Sequence, residues 1–375
     1  MLAFLMGSLT GAAFGVVLYK VGATRYSRVM GMLTLRDTKI MKWTFATIAV
    51  ASILYGLAAA LGVADELHVV PRTMPFLGWA HLVGGALFGI GMGVSGLCPG
   101  TCVAKFGARS GGAKYVAPAA IAGLFVGVLL YDRLKAPLVD VGIIAAQPKP
   151  LTLPGVLGLP YGAVALVVGA LFLVVAYLAD RFTTEHSFAP ARPKTSVLDW
   201  IRGEWSWPAA AVVAGVLLVL ATAQGGYLGF SGALLALTGW IAHAVGMPLD
   251  SVPTITDDII WRAALIVGVL PGGFLAAQLS SPSKAAAERP LPKTLQPVAI
   301  VRGFSAATAM TLGAMIGGGC TTGAYLAAWP TLSLGSFAMG ATFFAVSVAT
   351  SSGRAFVMRS LDLTQAQCDG DRAYD

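Results

Sequence analysis

Charge is the scarcest thing in this sequence. Only 11% of its 375 residues are charged, against about 25% in a soluble domain, which excludes an ordinary water-soluble globule. The long apolar runs, such as residues 156–179 and 259–279, do not alternate polar with apolar positions. That excludes a transmembrane β-barrel and leaves helices as the way to satisfy a backbone in lipid. Acidic residues are missing from the apolar runs, so the buried carboxylates of proton-coupled pumps have no counterpart. Histidine is scarce too, and His81 and His243 stand without a neighbouring acid. They read as interfacial or internally satisfied residues, and no metal site is expected. There is no Walker A motif and no dinucleotide fingerprint, so neither an energy-coupling domain, nor a cofactor, nor an enzyme activity is expected. The 4 cysteines do not read as a disulfide framework, since Cys98 and Cys102 lie one helical turn apart. The first apolar run lacks a basic leader and continues as a span, so no cleavable signal is expected.

What is present is apolar residue and glycine. A hydrophobic share of 57% and a mean hydropathy of +0.77 point to an all-α, polytopic membrane bundle with spans near 20 residues. The 46 glycines exceed what lipid-facing anchors need; they suit close helix approach and broken helices. The net charge of +8 does not imply a nucleic-acid partner. The basic residues sit mostly in connecting loops, where the positive-inside rule places them, and the expected location is a bacterial-type cytoplasmic membrane.

Taken in order, residues 2–19 form a first span, and the loop 20–42 holds six basic residues against Asp37, which marks the cytoplasmic side. Spans follow at 43–62, 76–97, 115–131 and 160–179. Lys105, Arg109 and Lys114 mark the inner face after the third span, and a proline-bearing segment (Pro137, Pro148, Pro150, Pro154) marks the outer face after the fourth. The polar stretch 181–207 carries Pro190, Pro193, Trp200, Trp205 and Trp207 and reads as a cytoplasmic linker with an interfacial helix. It divides an N-terminal half (1–180) from a C-terminal half (208–355), followed by a polar tail (356–375). The second half has spans at 208–224, 259–279, 299–318 and 334–353, with Asp257-Asp258 at an outer helix start and Lys284, Arg289 and Lys293 inside. The apolar stretch 226–246 is expected as a short re-entrant hairpin. The halves thus run in opposite order, the inverted-repeat plan of many transporters.

Each half contains Gly-x4-Gly-x-Cys near the end of a long span: Gly91-Met92-Gly93-Val94-Ser95-Gly96-Leu97-Cys98 and Gly313-Ala314-Met315-Ile316-Gly317-Gly318-Gly319-Cys320. Pro99 suits the first position of a helix, which makes Cys98 its N-cap and leaves the N–H groups of Gly100, Thr101 and Cys102 at a positive helix end. Thr321 and Thr322 offer the same arrangement after Cys320, with added hydroxyls. Two such breaks meeting at mid-membrane would hold a small, soft sulfur anion. The plain alternative for a cysteine in an apolar helix is a small buried hydrophobe. It competes on even terms for Cys102 and applies to Cys368 in the polar tail; the repeated spacing argues against it for Cys98 and Cys320. Arg302 and Trp329-Pro330 read as an interfacial anchor and an interfacial break.

The chain resembles the YeeE/YedE family, whose characterised members take up thiosulfate. The likeness rests on Gly11-Ala12-Ala13-Phe14-Gly15, Gly84-Gly85-Ala86-Leu87-Phe88-Gly89-Ile90-Gly91-Met92, the Cys98 turn, and Gly317-Gly318-Gly319-Cys320-Thr321-Thr322-Gly323. It covers roughly residues 1–355. The resemblance implies two pseudo-symmetric helical halves with short helices dipping in from both faces. It also implies thiols that hydrogen-bond thiosulfate in succession, with Cys98 and Cys320 matching two of them. Thiosulfate-importing members carry another cysteine after the first span, where this chain has Ala23-Thr24-Arg25-Tyr26-Ser27-Arg28. Thr24, Arg25 or Ser27 stands in there, or the ion differs. The Leu97-Cys98-Pro99-Gly100 turn is also similar to a half-length branch linked to other reduced-sulfur compounds.

The leading expectation is therefore a permease for a small sulfur anion, most simply thiosulfate, with a cytoplasmic sulfur-carrier protein as candidate partner. Two other classes compete. A membrane thiol or persulfide carrier would use Cys98 and Cys102 on one helical face. A Cu(I) permease would use thiolates as soft ligands, but no Met- or His-rich entrance accompanies the cysteines.

Overall fold

The structure, a computed structural model, describes residues 1–108, 113–183, 196–280 and 296–360. Arg109, Pro190, Pro193, Lys284, Arg289, Lys293 and Cys368 lie outside the described residues, as does the side chain of Lys114. The first half comprises α1 (Leu2–Val21), α2 (Tyr26–Leu33), α3 (Lys39–Ala60), α4 (Ala80–Ser95), α5 (Pro99–Ala108), α6 (Ala113–Asp140), α7 (Leu153–Leu157) and α8 (Tyr161–Phe182). After α9 (Val197–Arg202) come α10 (Trp207–Ala223), α11 (Phe230–Ala244), α12 (Asp257–Leu279), α13 (Gln296–Gly317), a π-helix (Thr321–Ala327) and α14 (Leu334–Ser360). Among the described residues the only β-pairing is isolated bridges, such as Phe76 with Lys149. Eight helical segments are long and apolar enough to cross a membrane, α4 and α5 counting as one; α10 and α11 are shorter. The chain is a polytopic all-α membrane protein.

Glycine sets the packing. Lipid gives helices no hydrophobic reason to associate, so association depends on close van der Waals approach. A Cβ on Gly84 would lie 2.3 Å from the Gly317 nitrogen and 2.5 Å from the Gly313 oxygen, and one on Gly91 would lie 2.6 Å from the Ala306 oxygen. Helices α4 and α13 therefore cross backbone to backbone and antiparallel. The offset that carries Cys98 to Cys320 also carries Gly91 to Gly313 and Gly84 to Ala306, so the crossing is reciprocal. Other pairings repeat the exchange: α1 runs parallel to α12 and α10 to α3, while α6 runs parallel to α13 and α4 to α14.

Several boundaries differ from the sequence reading. Helix α4 starts at Ala80 rather than 76, because Phe76 bridges Lys149 and Gly78 (φ 69°) turns the chain before the helix begins. Helix α6 continues through Pro137 to Asp140 instead of stopping near 131. Asp132 therefore lies inside a span and is buried, where the sequence reading had no carboxylate; it accepts the N–H groups of Asp250 and Ser251 at 3.3 and 2.8 Å and so ties down a loop. The expected hairpin at 226–246 has one helical limb only: residues 224–229 enter without helix and α11 returns from the buried Phe230 to the exposed Val245. Asp257 does open α12, with the Thr256 side chain capping Ile259. His81 is fully buried and satisfied, between the Leu77 N–H and the Gly317 carbonyl. Trp329 packs among Phe172, Tyr325 and Phe337, which makes it part of an aromatic core.

The basic loop 20–42 is folded against the bundle. Arg28 and Lys39 are buried. Arg28 pairs with Asp37 at 2.7 Å and with Glu204 at 3.0 Å, and Lys39 reaches Glu204 at 2.6 Å. Lys20 donates to the Ile201 carbonyl and the Ser280 hydroxyl. The linker around α9 is thereby clamped to the first half through Glu204. Burial raises the Glu204 carboxyl, and the cations Lys39, Arg25 and Arg28 more than offset this, holding it below the usual carboxylate range.

Candidate functional site

The two Gly-x4-Gly-x-Cys segments build the centre of the molecule. Helix α4 ends at Gly96 (φ 65°) and α13 at Gly318 (φ 89°), both left-handed; such a residue ends a helix most cheaply when it lacks a Cβ. Each chain then turns through a cysteine and starts a new helix. The Cys98 carbonyl accepts the first bond of α5 from the Cys102 N–H at 2.9 Å, and the Cys320 carbonyl accepts from Ala324 at 2.7 Å. Both cysteines are therefore N-caps, as the Pro99 and Thr321 positions predict, but the helix after Cys320 is a π-helix, a form often found at functional sites.

The two turns are neighbours: Phe230 packs on Gly100, the next residue, Ser231, holds the Cys320 N–H, and Thr321 and Cys320 lie near the Cys98 thiol. The Thr321 hydroxyl is shut away from solvent and has no hydrogen-bond partner among the described residues. Cys98, Cys102 and Cys320 are all free and buried. Cys102 follows Cys98 by one helical turn and Lys105 follows Cys102 by nearly another, which sets the three on one side of α5. Thr322 is buried in the π-helix, and Gly100 packs its missing Cβ against the Phe230 ring.

The expected entrance residues lie apart from this chamber. Thr24 is buried in the turn after α1, and Arg25 is 40% exposed and paired with Glu204 at 3.4 Å. No contact links either to the thiols. Tyr26, next in the chain, packs its ring on Gly96, which places that turn beneath the end of α4.

Sequence reading missed the residues that hold Cys320. Its N–H donates to the Ser231 hydroxyl at 3.2 Å, and the Tyr227 hydroxyl donates to the Gly323 carbonyl. The signal available was the cluster Gly225-Gly226 and Gly229 ahead of an apolar helix, a mark of a chain breaking inside a membrane. Above Tyr227 opens a cavity of about 560 Å³ lined by Asp65, His68, Arg72, Thr222, Gln224, Gly225 and Gly226, among others.

Two comparisons bear on this geometry. The family described as Sulphur transport matches residues 26–349, which contain both cysteine turns. The thiosulfate transporter TsuA of Spirochaeta thermophila is similar, with 26% identity over 358 residues, covering 90% of this chain and 94% of that protein. The chain belongs to the sulphur transport family and is a multi-pass membrane transporter of sulfur compounds rather than an enzyme.

Proposed function

We propose that the transported compound is thiosulfate and that it passes between the two cysteine turns. The observation that carries this reading is the closeness of the two buried cysteine turns, with Phe230 against Gly100, Ser231 on the Cys320 N–H, and Cys320 and Thr321 near Cys98. Thiosulfate is a small dianion with a soft terminal sulfur. Thiol and hydroxyl protons from Cys98, Cys320, Thr321 and Thr322 give it hydrogen-bond donors, Thr101 holds the Cys98 turn in shape, and the helix ends after Gly96 and Gly318 give it positive dipole ends. Gly100 keeps the start of α5 free of a side chain. Neutral donors hold a dianion weakly enough for release, which conduction requires. Cys102, in line behind Cys98, takes the ion next on the way toward Lys105. Thr24 and Arg25 belong to the inner mouth, where the importers of the resemblance have a cysteine.

The same reading makes the two halves an inverted repeat, supported by the reciprocal α4–α13 crossing and the exchanged helix pairs. The basic loop 20–42 faces the cytoplasm, the membrane is the bacterial inner membrane, and a cytoplasmic sulfur-carrier protein receives the ion. Uptake of radiolabelled thiosulfate into proteoliposomes tests the path. Cys98→Ala and Cys320→Ala are each expected to reduce uptake to the level of empty vesicles. Undiminished uptake in both variants would sink it.

A further inference from the structure

The cavity lined by residues of the 65–72 and 222–226 segments ends one residue short of Tyr227, whose hydroxyl reaches the turn after Cys320. Tyr227 lies with its hydroxyl on the Gly323 carbonyl, three residues past Cys320. The Arg72 guanidinium sits over the outer face of that ring, 5.9 Å from its centroid, and Arg72 also lines the cavity. Arg72 makes no ion pair among the described residues. On the other side, Arg262 is held by Asp258 at 2.9 Å, one turn earlier in α12. Its Nη1 stands 3.7 Å from where a Cβ on Gly232 would be, and Gly232 adjoins Ser231, which holds the Cys320 N–H. Tyr227 feels Cys320, Arg72 and Arg262 together. Two guanidiniums and a phenol thus converge on the passage between cavity and thiol.

Taking the transport reading as given, we propose that Arg72, Arg262 and the Tyr227 hydroxyl form a capture site for a sulfur oxyanion, and that Tyr227 is the door between it and Cys320. Arg72 supplies the uncompensated charge. Arg262 is half-neutralised by Asp258 and keeps its remaining donors, in the fork geometry that suits an oxyanion. When the Tyr227 hydroxyl leaves the Gly323 carbonyl for the anion, the ring swings and the anion reaches the Cys320 turn. Asp65, on the cavity wall, opposes capture and limits how tightly the ion is held. The site therefore acts on entry and charge selection, and the thiols act after it.

The test reads the passage without relying on uptake. In full-length protein carrying Cys98→Ser, Cys102→Ser and Cys368→Ser, Cys320 is the one remaining thiol. Reconstituted protein is treated with two membrane-impermeant methanethiosulfonates, one ending in a sulfonate and one in a trimethylammonium, and each rate is divided by its rate on a free thiol. At low salt the anionic reagent is expected to be favoured about tenfold or more, as for a charged funnel, and the preference shrinks as salt screens it. Arg72→Gln should cut the preference about tenfold, Asp65→Asn should raise it, and Tyr227→Ala should speed both reagents. A ratio near unity in the parent, a ratio indifferent to Arg72→Gln, or no reaction of Cys320 with either reagent overturns the site. Should Arg262→Gln prevent folding by stranding Asp258, the exposed Arg72 carries the test alone. If the wild-type protein takes up no thiosulfate while the charge preference holds, the proposed substrate fails and the capture site stands; the opposite pattern removes the capture site only.

Discussion

The Cys98 and Cys320 turns look alike on paper and are held by different means. The Cys98 turn is self-contained: the Thr101 hydroxyl accepts the Cys98 N–H at 2.7 Å and donates to the Cys98 carbonyl at 2.9 Å. Pro99 fixes the first helical φ, and the following α5 is a regular helix of 10 residues. The Cys320 turn has no internal clasp of this kind. Its N–H is held by Ser231, in the first turn of α11, and its third following residue by Tyr227, in the non-helical segment ahead of that helix, and it opens a π-helix. One turn is thus set by its own sequence and the other by a neighbour some 89 positions earlier. That asymmetry allows the Cys320 side to respond to the cavity beyond Tyr227, while the Cys98 side stays fixed.

Side-chain space gives the largest expected contrast. A Cβ on Gly100 would lie 2.1 Å from the Phe230 ring, whereas one on Gly323 would find nothing closer than 3.5 Å. Gly100→Ala should lower stability by about 2 kcal/mol or more, as overpacking does, and Gly323→Ala by well under half of that; thermal unfolding in detergent reads both. Equal losses would mean that the two turns are equally crowded and the contrast is false. Hydrogen bonding gives the next contrast. Thr101→Val removes both clasps and strands a buried N–H, costing about 2 kcal/mol, while Ser231→Ala removes one bond, costing about 1 kcal/mol. Thr101→Val should also slow alkylation of neither Cys320 nor its turn, whereas Ser231→Ala should quicken it; the reverse pattern would show that the Cys320 turn is the autonomous one.

The smallest effect concerns the linker that joins the halves. The folded Glu204 carboxyl is held below its unfolded value of about 4.3 by Lys39, Arg25 and Arg28, against the opposing effect of burial. Its contribution is therefore complete above that unfolded value and is lost as pH falls through the lowered folded value. Glu204→Gln should reduce stability at neutral pH and flatten its decline in acid. A parallel decline in both proteins would mean that this carboxylate does not clamp the linker.

Much of the architecture could be read from one sequence because lipid leaves so few options. Uninterrupted apolar runs located the spans, and loop charge ordered them in directions that agree with every parallel and antiparallel pair in the fold. The misread ends were local: the span read as 115–131 carries on through Pro137, read as part of the outer segment, to Asp140. At the site, Cys98 and Cys320 could be picked out because their spacing repeats. Ser231, Tyr227, Arg72 and Arg262 could not, since a lone serine or arginine near a glycine cluster has no repeating partner to set it apart. Arg25 reads as a stand-in for the importers' cysteine, yet it pairs with Glu204, a linker residue that nothing in the local sequence ties to it.

By itself the sequence determined that this chain lies in a membrane as helices and that two of those helices break at cysteines. Those properties follow from hydropathy, φ limits at glycine and proline, and the absence of particular side chains, all of which act within one segment. Only the tertiary structure decided that the two cysteine turns are neighbours, that one turn closes on itself while the other leans on α11, and that Tyr227 holds the Gly323 carbonyl. Such facts depend on which glycine faces which backbone across a crossing, and a glycine carries no side chain by which its sequence could name its partner.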